Sequence, residues 1–150
     1  MADLKEMLDQ GTQNGLSLYG HQCSRRFYEL LSQRQFQSTR CLSCGRLAFP
    51  PRNFCPACFQ TKLAWMDLPR RGTLYAFTQQ ERSVRFGKPD VIGIVELAGG
   101  IRLLTRVDGK FESLRLGQAV ELDFLELAPG LVLHQFRPAG IKNERPAAAP

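Results

Sequence analysis

The stretch CLSCGRLAFPPRNFCPACF, residues 41–59, gathers four of the chain's five cysteines into two pairs, and nothing else in the sequence restricts folding so tightly. Cys41 pairs with Cys44 and Cys55 with Cys58, each as Cys-x2-Cys, and ten residues separate the pairs. Two residues between ligands let one tight turn aim both sulfurs at a single ion, and the loop brings a second turn opposite the first. Four thiolates then close a tetrahedron about 2.3 Å from a Zn²⁺ ion. This spacing predicts a zinc ribbon. Its ion is structural, because four cysteines fill the tetrahedron and leave no open position for substrate or water. Iron suits the same four thiolates, whereas disulfides are disfavoured in a reducing cytosol. Gly45 follows the first pair and permits the positive φ that brings backbone amides up to the sulfurs. Phe59 holds the matching place after the second pair, so the two turns are expected to differ.

The flanks of this block follow simple patterns. Residues 3–9 suit a short helix, but Gly11, Asn14 and Gly15 stop it and the first twenty residues read as an arm. In SRRFYELLSQ, Phe27, Leu30 and Leu31 share one helical face and Ser24 is the expected cap. Residues 35–40 then read as a leading strand with Phe36 as its apolar side chain, and TKLAWMDL as the returning strand, ended by Pro69 and the pair Arg70 and Arg71.

From Gly72 onward the pattern changes to five short apolar runs, GTLYAFTQ, DVIGIVELA, GIRLLTRV, AVELDFLEL and LVLHQFRP. Gly99 and Gly100 mark a tight hairpin, and Pro129 with Gly130 another turn. DGKFESLRLG, between the third and fourth runs, suits one or two helical turns. Five strands with a helical segment in that place match the order of an OB-fold barrel, although a small β-sandwich uses similar strands. The expected organisation is an arm and amphipathic helix over 1–37, a ribbon over 38–68, a barrel over 69–140 and a frayed tail over 141–150.

Composition narrows the function classes. Hydrophobic residues make up 43% and charged residues 23%, which suits a folded globular chain and argues against disorder. No apolar run approaches the roughly 20 residues needed to span a bilayer, and MADLKEMLDQ lacks a signal peptide's apolar core, so a cytoplasmic location is expected. The net charge of +6 counts cysteines as neutral; four thiolates around a divalent cation carry −2 and lower it to +4. Arginine supplies most of the basic residues, which favours bidentate contacts to phosphate or carboxylate.

Few other residues carry chemistry. Cys23 beside His21 lacks a third group and reads as an inert, partly buried thiol, and His134 as a packed or exposed strand residue. No paired carboxylate, nucleophile motif or glycine-rich phosphate loop forms an active-site constellation. The loop QERSVRFGKPD offers Arg82, Arg85 and Lys88 for phosphate and Phe86 for stacking, although each also suits an ordinary solvated loop. Between the cysteine pairs, RLAFPPRN is stiffened by two prolines and presents Arg46, Phe49 and Arg52 as a face for docking a partner.

Taken in order, FYELLSQRQF, CLSCGRLAFPPRNFCPAC, Trp65, RRGTLYAFTQ, VIGIVELAGGIRLLTRV, LRLGQAVELDF and HQFRPAG resemble the zinc-ribbon OB-fold family long labelled domain of unknown function 35. The resemblance covers roughly residues 24–140 and departs from it at Phe59, where many relatives have glycine, and at the arm. It implies a mainly β chain with an N-terminal helical segment, a rubredoxin-like zinc ribbon and a five-stranded OB-fold barrel. It further implies a noncatalytic partner that bridges or stabilises a thiolase-like, hydratase or aldolase subunit and helps hold the acyl-CoA ester. The alternative class is a single-stranded nucleic-acid binder, which requires a basic groove with aromatics spaced to stack successive bases. Here the strands are mostly aliphatic, Phe77 and Phe124 suit core packing, and Glu96, Glu121, Asp123 and Glu126 share the strands with the arginines.

Overall fold

The computed structural model describes residues 22–82 and 89–140, with side chains from residue 24 onward. The arm, the short helix over 3–9, the thiol of Cys23 and the tail lie outside the described residues.

Helix α1 (Gln22–Ser32) is amphipathic as expected, with Phe27 and Leu31 buried one turn apart and Arg25 paired to Glu29 at 3.1 Å on the outer face. Ser24 falls inside the helix and does not cap it. The helix closes with two backbone bonds, Gln35 N to Leu30 O at 2.9 Å and Arg34 N to Leu31 O at 2.9 Å, around Arg34 at φ 61°. That is a left-handed C-terminal cap made without glycine. The Arg34 carbonyl in turn accepts from Arg70, tying the helix end to the start of the barrel.

Three strands form the ribbon sheet in the order β2-β1-β3: β1 (Gln37–Cys41), β2 (Leu47–Ala48) and β3 (Leu63–Asp67), all antiparallel. The returning strand is where the sequence places it, and β2 is an addition. Five further strands make a closed barrel: β4 (Arg71–Gln80), β5 (Asp90–Leu97), β6 (Ile101–Val107), β7 (Ala119–Ala128) and β8 (Leu131–Pro138). Their spatial order is β4-β5-β6-β8-β7; β6 runs parallel to β8, and β7 closes onto β4 through Gly72 with Val120. A single 3₁₀ turn, Phe111–Ser113, fills the helical segment between β6 and β7. This is the OB-fold arrangement. At Gly93 a Cβ would lie 2.8 Å from Val107 Cγ2 and 3.0 Å from the Ala76 carbonyl, so only glycine lets β4 and β6 approach there.

One continuous core joins the parts. Leu74, Val95, Leu103, Val107 and Val120 fill the barrel, and Phe124 is buried while Phe77 is partly so, packing edge-on against Phe111. Phe36 is 1% exposed and its ring stands 6.2 Å from that of Phe136 on β8. Leu68, just past β3, donates its backbone N–H to the Phe36 carbonyl at 2.8 Å. The ribbon is therefore seated on the barrel through the two segments that bracket its sheet.

Candidate metal centre and adjoining cleft

The two Cys-x2-Cys turns are built alike. Gly45 N donates to Cys41 O at 2.9 Å and Phe59 N to Cys55 O at 2.9 Å; Cys41 N donates to Arg46 O and Cys55 N to Gln60 O, each at 2.9 Å. Gly45 has φ 75° and Phe59 has φ 59°. The expected difference between the turns is therefore not found: Phe59 takes the left-handed conformation that glycine takes in the first turn, at a cost of about 1 kcal/mol. Its side chain is 74% exposed and stacks on exposed Phe54 at 6.5 Å, so no burial offsets that cost.

The four sulfurs of Cys41, Cys44, Cys55 and Cys58 all lie within 4.8 Å of one another, with Cys41–Cys58 and Cys44–Cys55 at 3.5 Å. A tetrahedron of 2.3 Å bonds has edges of about 3.8 Å, so this donor set fits one tetrahedral ion. Backbone amides prepare the charge. The Cys44 amide, helped by that of Ser43, holds the Cys41 thiol down to about 6 against its burial. The Cys58 and Ala57 amides lower Cys55, with Ala57 N 3.4 Å from its sulfur. At Cys58 the Gln60 amide also favours the thiolate, but burial and the three neighbouring sulfurs outweigh it and push the thiol up to about 12. Four negative charges share this space only with a cation between them.

Beside the turns, the ribbon and the β5–β6 hairpin enclose a cleft of about 710 Å³. Arg46, Phe49 and Arg52 all line it, so the structure brings together the three residues expected to face a partner. Phe49 is half-buried, and most of its ring is engaged inward against Phe27 at 5.6 Å and His134 at 5.8 Å. The loop is pinned where Arg52 N donates to Thr39 Oγ1 at 3.0 Å. Sequence reading did not reach Arg40, Met66, Ile101 and Arg102, which complete the cleft from β1, β3 and β6. Arginine frequency was the only local signal for Arg40 and Arg102.

His134 sits where helix, ribbon and barrel meet. Its ring lies within 5.8 Å of Phe27, Phe36 and Phe49, and neither ring nitrogen has solvent contact or a hydrogen-bond partner among the described residues. Burial drives its pKa down to about 4, with only a weak opposing pull from the Leu104 backbone. On the barrel's outer surface three arginines are matched by acids: Arg102 with Glu96 at 2.5 Å, Arg106 with Asp90 at 2.8 Å, and Arg137 with Glu121 at 2.9 Å.

Residues 39–64 match the ChsH2 rubredoxin-like zinc ribbon domain and residues 65–125 the ChsH2 C-terminal OB-fold domain. The chain is 32% identical to the solved structure described as the Ltp2-ChsH2(DUF35) aldolase, with a TM-score of 0.70, covering 77% of this chain and 93% of that one. The chain belongs to the DUF35 family. A DUF35 domain-containing scaffold protein of Methanocaldococcus jannaschii is 31% identical over 113 residues, 69% of this chain and 80% of the relative. A probable enoyl-CoA hydratase alpha subunit of Thermomonospora curvata is 33% identical over 121 residues, 79% of this chain. The benzoylsuccinyl-CoA thiolase subunit BbsA of Thauera aromatica is 33% identical over 84 residues, 55% of this chain. The chain spans 38% of the length of the hydratase subunit and 58% of that of the thiolase subunit.

Within this DUF35 frame the four cysteines are positioned for metal binding in the zinc-ribbon domain. Of the loop residues expected to meet a ligand, Arg82 is exposed just past β4, while Arg85, Phe86 and Lys88 lie outside the described residues. Among the described residues no helix is long and apolar enough to cross a membrane.

Proposed function

We propose that this chain is a noncatalytic auxiliary subunit that binds and stabilises an acyl-CoA-processing enzyme of thiolase-like, hydratase or aldolase type. The observation that carries this reading is family membership: its relatives are described as a scaffold, as subunits of a hydratase and a thiolase, and within an aldolase. The cysteine site agrees with it. Four sulfurs at this spacing would hold a Zn²⁺ ion with all four of its positions taken, which would stiffen the ribbon and leave none for a substrate.

The CoA ester contacts the loop after β4, where Arg82, Arg85 and Lys88 meet its phosphates and Phe86 stacks on its adenine. Nucleic-acid binding is the less favoured class. Three of the strand arginines that would track a phosphate backbone, Arg102, Arg106 and Arg137, are already matched by Glu96, Asp90 and Glu121.

Co-expression with acyl-CoA hydratase, thiolase-like and aldolase subunits, followed by size exclusion and activity assay, tests the reading. Co-elution with one of them and a rise in its activity are expected. A chain that elutes alone and shifts single-stranded DNA at physiological salt overturns it. Metal analysis is expected to give one zinc per chain, and titration of CoA is expected to bind the wild type more tightly than the Arg82→Ala, Arg85→Ala double variant.

A further inference from the structure

The cleft beside the cysteine turns combines charge, shape and apolar surface in a way the zinc site and the barrel core do not require. Its rim holds four guanidinium groups. Arg40, Arg46 and Arg52 come from the ribbon and Arg102 from the opposite wall on β6. Asp67 is the one carboxylate among the lining residues, and its Oδ1 already accepts from Gln37 Nε2 at 3.1 Å.

The arginines divide into two held and two free. Arg40 donates through Nε to the Gly45 carbonyl at 2.9 Å, and Arg102 is clamped between Glu96 at 2.5 Å and the Tyr75 ring at 3.8 Å. Arg46 and Arg52 are exposed, and among the described residues their guanidinium groups make no hydrogen bond or ion pair. Two cations left unmatched in a concave site favour an anionic occupant with carboxylate or phosphate geometry.

Leu47, Ala48 and Met66 give the same cleft an apolar floor beside the arginines, and the edge of the core residue Ile101 reaches its lining. Inorganic phosphate would meet the arginines and leave that floor in water, whereas an extended chain alternating acidic and aliphatic residues would satisfy both, since its side chains point alternately to opposite faces. The hairpin wall admits such a chain. A Cβ placed at Gly99 or Gly100 would meet nothing within 4 Å, so the hairpin tip leaves this side of the cleft open.

We infer that the cleft between the ribbon and the β5–β6 hairpin docks an extended, acidic and aliphatic segment of the partner enzyme subunit. The identity of the partner rests on the auxiliary-subunit reading above; the chemistry of the segment rests on the cleft alone. Arg46 and Arg52 take its carboxylates and the floor takes its aliphatic side chains. The positive balance, +6 with neutral cysteines and +4 once four thiolates hold a divalent cation, favours approach of an acidic segment.

The first test uses the full zinc-loaded chain and a fluorescein-labelled decapeptide of alternating Glu and Leu, read by anisotropy. Saturable binding is expected, at least 10-fold weaker for the double variant Arg46→Gln, Arg52→Gln. The charge-matched double variant Arg25→Gln, Arg115→Gln, away from the cleft, is expected to stay within twofold of the wild type. A Glu and Ser decapeptide is expected to bind at least fivefold more weakly, and a Lys and Leu decapeptide not at all. Equal loss in both double variants, equal binding of the Ser peptide, or displacement by inorganic pyrophosphate at a concentration below that of the unlabelled peptide overturns the inference; the last outcome marks a small-anion site instead.

The second test separates this inference from the reading it rests on. If the wild type co-elutes with an acyl-CoA enzyme subunit and the cleft double variant loses co-elution at 300 mM salt, both stand. If both forms co-elute equally, the cleft inference falls and the auxiliary reading stands. If the wild type co-elutes with none of the three enzyme classes, the auxiliary reading falls and the peptide titration alone decides the cleft.

Discussion

In the barrel, strands β5 and β6 bury Val91, Val95, Leu97, Ile101, Leu103 and Val107, whereas the ribbon's central strand β1 buries Ser38, Thr39 and Cys41. Both units are built from β-strands, short in the ribbon and longer in the barrel, and the deeper contrast lies in what holds them. Each fully buried aliphatic side chain in the barrel contributes about 1.5 to 3 kcal/mol, and the sum makes a core that needs no ion. The ribbon has backbone turns aimed at four sulfurs, and Ser38 Oγ and Thr39 Oγ1 spent on bonds to the Ala48 carbonyl and the Arg52 amide. It borrows its apolar support, through Phe36 and Leu68, from the barrel and helix. A metal-dependent ribbon gives fixed loop geometry at little cost in chain length, and the barrel provides the platform that holds it.

The largest expected effect sharpens that contrast. Chelating the ion, or replacing Cys41 by Ser, removes a term of about 10 kcal/mol or more in structural zinc sites. Amide resonances of residues 38–67 are expected to collapse in two-dimensional NMR while those of β4–β8 keep their dispersion. Simultaneous collapse of both sets would show that the barrel does not stand alone. Next, Phe36→Ala cuts the joint between the two units and is expected to cost about 3 to 5 kcal/mol by urea denaturation. The loss is expected to split the melt into two transitions, because this side chain joins the helix and ribbon to the barrel within the shared core.

The third effect comes from His134. Its folded pKa of about 4 lies below the usual 6.5, so its contribution is complete above about pH 6.5 and is lost as pH falls toward 4. The shift corresponds to about 3 kcal/mol. Wild-type stability minus that of His134→Leu, measured by denaturation from pH 7 to pH 4, is expected to fall across that window and to be flat above it; a flat difference throughout refutes the role given to burial. The smallest effect is at the second cysteine turn. Phe59→Gly relieves the left-handed backbone and is expected to stabilise the zinc-loaded ribbon by at most roughly 0.5 kcal/mol, after glycine's greater freedom in the unfolded chain is deducted.

Local signals were readable in the sequence and nonlocal ones were not. The cysteine spacing places four sulfurs within reach of one ion because each pair is a single turn. Alternation gives β5 and β6 directly, since Ile101, Leu103, Thr105 and Val107 point inward while Arg102 and Leu104 point out. Two residues carry no period, so β2 left no trace. Phe59 misled because its intrinsic avoidance of positive φ is weaker than the demand of a turn closed by the Phe59 N to Cys55 O bond. Arg40 and Arg102 meet across the cleft although 62 positions separate them, and no pattern in one chain records that. The surroundings of His134 are equally nonlocal, drawn from α1, β8 and the segments on either side of β1 and β2.

The ring of His134, enclosed by Phe27, Phe36 and Phe49, is also a built-in reporter. Three phenyl ring currents act on one imidazole, so its carbon-bound protons resonate away from the positions of an exposed histidine. Each phenyl belongs to a segment that the barrel does not contain. A partner that levers the helix or the cysteine ribbon off β8 will move those resonances, while one that grips the assembly as a rigid unit will leave them in place.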